Sequence, residues 1–478
     1  MTRLGDCFTY FSFSSQRLCN QVIRLIAIRF LLYMGAMGSF YIGVLGTLTY
    51  VMNGGAGANA IAVALINALI MVGGIQSGQL LDRLGPRIHV RVCITLMVAC
   101  GLAYQVLGTS TVGIFLGAAF FGLAWGMSDI IQTSYPAYLT DDADELKRIN
   151  AAIAMAGNIA LVIGPTIGGA IVLVAPTQAV FLFMSACSLL TVIPGFGFQP
   201  LHSATEDAAR AQGNMGCEDT AGAVREAISE DGAKLANEPL SPVAPASSSA
   251  PADPTVAPQG NAIKVGFAEI FSSGVLSLLF WATMLSFMGY GAFDPLESLF
   301  YRDVLRVGAS WMGWLSALSG VGGIAGAVLV SMLPTRHMNV RTLLIVLAAT
   351  GVGSFVYVAT PYVAVACVGQ LLLGVAFSAF GPIKTTLVQM HTPLSSIGRV
   401  NAAMGAGYNF AGVFPLLCAP VLAGVFGVQG TLVGAAAFVM AIPMLILVVC
   451  RRSLADMVRT ERARECAGSV AGDEASGL

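Results

Sequence analysis

The chain alternates between long apolar runs and short polar turns. No Asp, Glu, Lys or Arg occurs from Phe30 to Leu81, and none from Val92 to Ser128. A helix crossing the hydrocarbon core needs about 20 apolar residues. Divided by that length at their turn residues, the charge-free runs predict twelve spans. Run 30–81 breaks at Asn53-Gly54-Gly55, the stretch 92–134, interrupted only by Asp129, at Gly108-Thr109-Ser110, and run 149–205 at Pro176. Runs 270–293 and 307–335 give one span each. Run 342–383 breaks at Thr360-Pro361, and run 400–450 at Gly427-Val428-Gln429-Gly430.

Composition turns this pattern into a solvent assignment. The 478 residues are 56% hydrophobic and 10% charged, whereas a soluble domain carries roughly 25% charged residues. Bilayer is therefore the expected solvent, and lipid the first expected partner. A net charge of −1 argues against a nucleic-acid partner. The ten cysteines show no CxxC and no metal-ligand spacing. Histidines 89, 202, 337 and 391 stand outside the apolar runs, so no buried histidine cluster is expected. Neither G-x-x-x-x-G-K-[ST] nor HExxH occurs. The chain reads as no enzyme, with no cofactor and no metal. Residues 1–25 hold Arg3, Arg17 and Arg24 and lead straight into a full-length span, so no cleaved signal is expected.

Loop charge predicts orientation. With the N-terminus inside, the inner turns hold Arg83, Arg87, Arg91, Lys147, Arg148, Arg336, Arg341 and Arg399, and the tail adds Arg451 and Arg452. The outer turns hold only Arg302 and Arg306. The expectation is a multi-pass protein of the cell membrane (plasma or inner) with both termini cytoplasmic.

Residues 199–264 differ from their surroundings. Their "PLSPVAPASSSAPADPTVAPQG" run is rich in Pro, Ala and Ser and cannot bury enough apolar area to offset chain entropy. The predicted organisation is a cytoplasmic segment 1–25, a six-helix bundle 26–198, and a disordered cytoplasmic linker 199–264. A second six-helix bundle, 265–450, and a cytoplasmic tail, 451–478, follow. The linker leaves room for a short helix over 218–235.

The two halves resemble each other. "RINAAIAMAGN" (148–158) aligns with "RVNAAMGAGYN" (399–409), and "FGLAWGMSDIIQTS" (121–134) with "LGVAFSAFGPIKTT" (373–386). Repeats of six spans are a mark of secondary transporters that rock two bundles about a central site. Within this frame "GQLLDRLGPRIHVR" (78–91) resembles the signature loop of the major facilitator superfamily, with Gly78, Asp82, Arg83, Gly85 and Arg87 in register. "GPTIGG" resembles the antiporter motif of the family's span five through Gly164, Pro165, Gly168 and the neighbouring Gly169. The style of span five is similar to the bacterial drug and siderophore exporter branch. The usual arginine of the proton-linked motif in span four is absent.

The resemblance implies an all-α membrane fold of twelve helices in two pseudo-symmetric bundles. It implies a monomer that moves a small-molecule solute by alternating access, with efflux linked to protons as the leading expectation and nutrient uptake or a non-transporting receptor as alternatives. Asp82 is then expected to latch the halves together at the inner face, accepting from the start of span eleven. The Gly74/Gly78 spacing is expected to bring another helix close to span two.

Ionisable groups inside spans are costly and mark function. Asp129 and Lys384 are candidates for an ion pair across the pseudo-twofold axis. Asp294 and Glu297 are expected at or past the outer boundary, either paired with Arg302 and Arg306 or serving as a proton or cation site. Asn158 and Asn409 are expected to tie helices together by hydrogen bonds, with contact to the solute in the cavity as the alternative. Tyr33, Tyr41, Trp125, Tyr290 and Phe377 offer an aromatic cavity wall.

Overall fold

The apolar runs fold as helices because no backbone polar group can go unpaired in hydrocarbon. A computed structural model describes residues 15–140, 142–201, 259–333, 339–392 and 397–451. α1 runs over Gln16–Val51, capped by Ser15, whose Oγ accepts from the Leu18 amide at 3.2 Å. Ala56–Leu107 bends at Gly85 into α2 (56–84) and α3 (86–107). α4 is Thr111–Ser134, α5 Ala143–Ile171 and α6 Ala179–Phe196. α7, Gln259–Ser272, precedes the second set: α8 Gly274–Val304, α9 Ser310–Ser331, α10 Val340–Val358 and α11 Val363–Met390. Ile397–Val449 bends at Gly427 into α12 (397–426) and α13 (428–449).

Eleven of the described helices are long and apolar enough to cross a membrane. The last, Ala403–Val449, holds 47 residues and reverses at Gly427, so the chain makes twelve crossings. Gly85 and Gly427 adopt the same left-handed backbone, with φ of 74° and 72°, where a side chain would be strained.

Three boundaries differ from expectation. α1 begins well before Phe30, because polar contacts hold its amphipathic start against the end of α6. Arg24 donates to the Gly197 carbonyl, and Gln21 Oε1 accepts from the Gln199 amide at 2.9 Å. α8 runs past residue 293 to Val304, since Phe300 and Tyr301 are buried and Arg302 is neutralised by Asp303. α7 begins inside the predicted linker. Residues 202–258 of that linker, including 218–235, lie outside the described residues.

The helices cluster as two bundles, α1–α6 and α8–α13. One end of the molecule carries Arg83, Arg87, Arg91, Arg148, Arg341 and Arg451; we call it the basic face. At the opposite, far face the two interiors share one hydrophobic core, joining Leu45 and Leu48 to Leu296, Phe300, Leu416 and Leu432. Toward the basic face a second core belongs to α7–α13 alone, including Leu279, Leu344, Leu387 and Val400. The bundles thus fuse at the far face and part toward the basic face, leaving a cleft between them.

Glycines set the closest approaches. A side chain on Gly164 would strike the Met34 carbonyl of α1, and one on Gly313 of α9 would strike the Pro165 carbonyl and Gly169 of α5. In span two the close approach falls at Gly73, against the Leu123 carbonyl, and not at the predicted pair. Gly74 and Gly78 have only ordinary contacts with α4, because they sit a quarter turn or more from the face that α4 covers.

Candidate functional site

The far-face closure is polar at its centre. α1 and α8, the first helices of the two halves, both end in wider π winding, over Ser39–Val51 and Phe300–Val304. There Thr49 Oγ1 and Ser298 Oγ lie 2.8 Å apart. Asn59 Nδ2 donates to Thr49 Oγ1, Ser298 Oγ and the Pro295 carbonyl at 3.0, 2.9 and 3.1 Å. Arg302 Nη1 donates to the carbonyls of Thr49 and Gly54 at 2.6 and 3.3 Å, and Asp303 holds its guanidinium at 2.6 and 3.0 Å. The Tyr50 hydroxyl donates to the Val307 carbonyl at 2.9 Å. Asn59 Oδ1 is buried without a partner among the described residues. An unmade buried hydrogen bond costs about 1–3 kcal/mol, so admitting water here would offset part of the loss on opening.

Below this closure lies the glutamate. Glu297 Oε1 accepts from the hydroxyls of Tyr301 and Tyr357 at 2.8 and 2.7 Å, and from Gln370 Nε2 at 3.4 Å. Tyr301 follows Glu297 by four residues and so shares its helix face. Tyr357 and Gln370 come from α10 and α11. The two carboxylates therefore sit inside α8, not at its outer boundary, and neither pairs with Arg302 or Arg306: Arg302 is spent on Asp303 and on the backbone of α1. Asp294, three residues before Glu297, is half-buried, one turn from Gly291, where a side chain would strike the Gly412 backbone of α12.

Toward the basic face the ionic groups are arranged differently from the predicted pair. Asp129 Oδ1 accepts from Arg29 Nη1 of α1 at 3.0 Å and from Gln132 Nε2 at 2.9 Å. Lys384 instead stands over the rings of Phe380 and Tyr408, at 5.5 and 5.7 Å. Asp129 and Lys384 are not brought together, because Arg29 lies in the same bundle as Asp129 and satisfies it.

The aromatic candidates sort onto two walls. Trp125 packs with Tyr33 and Phe40 at 6.3 and 5.8 Å, and Phe40 with Tyr41 at 5.0 Å. Opposite, Phe287 meets Tyr290, Phe377 and Tyr408 at 5.3, 6.0 and 4.7 Å. Asn158 is exposed and makes no hydrogen bond among the described residues, so it ties no helices here. It lies one turn from Val162, which packs on Gly320 of α9, on the basic-face side of that contact. The Asn409 side chain lies outside the described residues.

The signature loop is a bend, not an extended turn. Gly85 supplies the left-handed residue, and Pro86, whose ring fixes a helical φ, opens α3. Arg83 and Arg87 are exposed; the Asp82 side chain lies outside the described residues. Sequence reasoning missed His89, which is fully buried. Its Nδ1 lies 2.8 Å from the Tyr135 hydroxyl and its Nε2 2.5 Å from Ser77 Oγ. Tyr135 donates onward to the Pro86 carbonyl at 2.8 Å. The histidine therefore lies inside α3, and its polar partners explain why it tolerates burial. Asn59 and Gln370 were also missed. Their signal was an amide inside an otherwise apolar span.

The family model described as Major Facilitator Superfamily matches residues 279–468. Among solved structures, a mutant of the nucleoside transporter NupG is similar with a TM-score of 0.64 at 11% identity, over 90% of this chain and 99% of that one. A peptide transporter POT in complex with sulfate follows at 0.61 and 13%, over 91% and 95%. A POT family transporter in complex with 5-aminolevulinic acid gives 0.57 and 13%, over 89% and 95%. No curated protein sequence matches the chain. The helix order, the two bundles and these likenesses make the fold that of the major facilitator superfamily.

Proposed function

We propose that the chain is a secondary active transporter of the major facilitator type, which carries a small solute through the cleft by alternating access. One observation supports this above the others: the bundles share a core at the far face, part toward the basic face, and hold ionisable groups in the gap. Charge inside a membrane protein is costly and marks a solute or ion path. In this reading the polar closure of Asn59, Thr49, Ser298 and Arg302 is the far gate. Glu297, clamped by two tyrosines, is the proton-coupling carboxylate. Asp82 and its arginines act as the latch at the other end. The basic face is cytoplasmic, by the excess of arginine there, and the protein works as a monomer in the cell membrane.

Efflux of an amphipathic solute is the direction favoured by the GPTIGG segment and the aromatic walls. Uptake of a nutrient or metabolite is the second reading, favoured by two cleft charges without protein partners among the described residues. The test is cysteine access in proteoliposomes. A single cysteine at Asn158 is expected to react from the basic face, and to be shielded when the far face is made to open. Equal reactivity under all conditions, with Glu297→Gln indistinguishable from wild type in proton-driven flux, would overturn the reading.

A further inference from the structure

Among the described residues, two charges in the cleft have no counterpart. Among the described residues, Asp294 makes neither a hydrogen bond nor an ion pair, and Lys384 meets only the rings of Phe380 and Tyr408. The other cleft charges are already engaged. Arg29 and Asp129 neutralise each other, and Glu297 is held by Tyr301, Tyr357 and Gln370. An ion left alone at this depth is destabilising, so such a group either goes neutral or is completed by a solute of opposite charge.

Both side chains are half-buried. Lys384 stands over the Tyr408 ring of α12, and α8 packs on α12 one turn from Tyr408, where a side chain on Gly291 would strike the Gly412 backbone. Their depths differ. Asp294 precedes the far end of α8 at Val304 by ten residues, about 15 Å of helix. Lys384 follows the far end of α11 at Val363 by twenty-one, about 31 Å. The lysine swings on a four-carbon stem, so a solute touching both would hold its charges roughly 10–15 Å apart. Aromatic faces lie between, at Phe287, Tyr290 and Tyr408.

We propose that Asp294 and Lys384 are the two ends of the solute site, and that the solute is an elongated amphipathic zwitterion. Its ammonium meets Asp294, its anionic group meets Lys384, and its apolar body lies along the aromatic wall. This rests on the transporter reading above. A plain cation leaves Lys384 uncompensated, and a plain anion leaves Asp294 so. A compact amino acid is too short to reach both.

The test is binding to the purified full-length protein in nanodiscs, using ω-amino acids as rulers: 4-aminobutanoate, 6-aminohexanoate, 8-aminooctanoate and 11-aminoundecanoate. Octylamine and octanoate are the single-charge controls. Affinity is expected to rise at least tenfold along the wild-type series, and both controls are expected to bind at least tenfold more weakly than 8-aminooctanoate. In Lys384→Gln the zwitterion is expected to fall to the level of the amine, and in Asp294→Asn to the level of the acid. No binding at any length, no length dependence, or octylamine equal to 8-aminooctanoate on the wild type overturns the proposal, even where a variant fails to fold. Alternating cysteine access is measured on the same protein. Alternation without zwitterion selectivity removes only the site. Selectivity without alternation leaves the site standing and removes the transport reading.

Discussion

Arg302 on α8 donates through Nη1 to the main-chain oxygen of Thr49 on α1, at 2.6 Å. A cation from one bundle thus closes on the backbone of the other. Hydrogen bonds to charged groups contribute about 1.5–3 kcal/mol, and each 1.4 kcal/mol is a tenfold change in equilibrium. Arg302→Gln is expected to shift the far face toward opening by about tenfold or more. Spin labels at Val51 and Tyr362, on the far ends of the two bundles, should report a longer distance population. An unchanged distance distribution would show that the closure does not depend on this contact.

Gly313 packs against the Pro165 carbonyl and Gly169, where α9 touches α5 near the far face. Gly313→Val places a branched side chain into backbone. Overpacking of this kind costs about 1–3 kcal/mol. The variant is expected to disfavour the closed far face and to raise the reactivity of a cysteine at Ser310 from that side. Reactivity equal to that of the parent cysteine protein would count against the glycine contact.

Arg29 and Asp129 form the described ion pair of the cleft wall. Asp129→Asn leaves a buried guanidinium without its anion, whereas Lys384→Gln removes a charge that has none among the described residues. The first is expected to lower stability by about 1–3 kcal/mol and the second by less. Exchange of the pair, Arg29→Asp with Asp129→Arg, should recover part of the loss, while Asp129→Lys with Lys384→Asp should recover none. Thermal unfolding in detergent ranks the four proteins. Rescue by the second exchange would restore the cross-bundle pair in place of this one.

Tyr135 links His89 to the Pro86 carbonyl at the Gly85 bend. Tyr135→Phe keeps the ring and deletes the hydroxyl, leaving a histidine nitrogen and a carbonyl unpaired in a buried site. The expected loss is about 1–3 kcal/mol, read as a lower unfolding midpoint. Tyr138→Phe, three residues on in the same short helix, is the control expected to change it less.

Much of the fold was legible in the chain. Charge-free runs of spanning length, cut at Gly54-Gly55, Pro176 and Gly427, give twelve crossings because a bilayer tolerates neither charge nor open backbone. The internal likeness of 148–158 and 399–409 gives the two bundles. The depth of Asp294 and Glu297 was not legible, because a span end was placed at the first charge. Burial of Phe300 and Tyr301 and self-neutralisation of Arg302 by Asp303 extend α8 beyond it.

The sequence by itself determined the solvent, the number of crossings and the bias of positive charge to one face, since each is a sum along the chain. Only the tertiary structure decided who partners whom. Asp129 takes Arg29 and leaves Lys384 alone, Glu297 takes tyrosines from its own helix and from α10, and His89 is buried against Ser77 and Tyr135. Pairing depends on distances between helices far apart in sequence, and those are fixed by where glycines such as Gly164 and Gly313 let backbones meet.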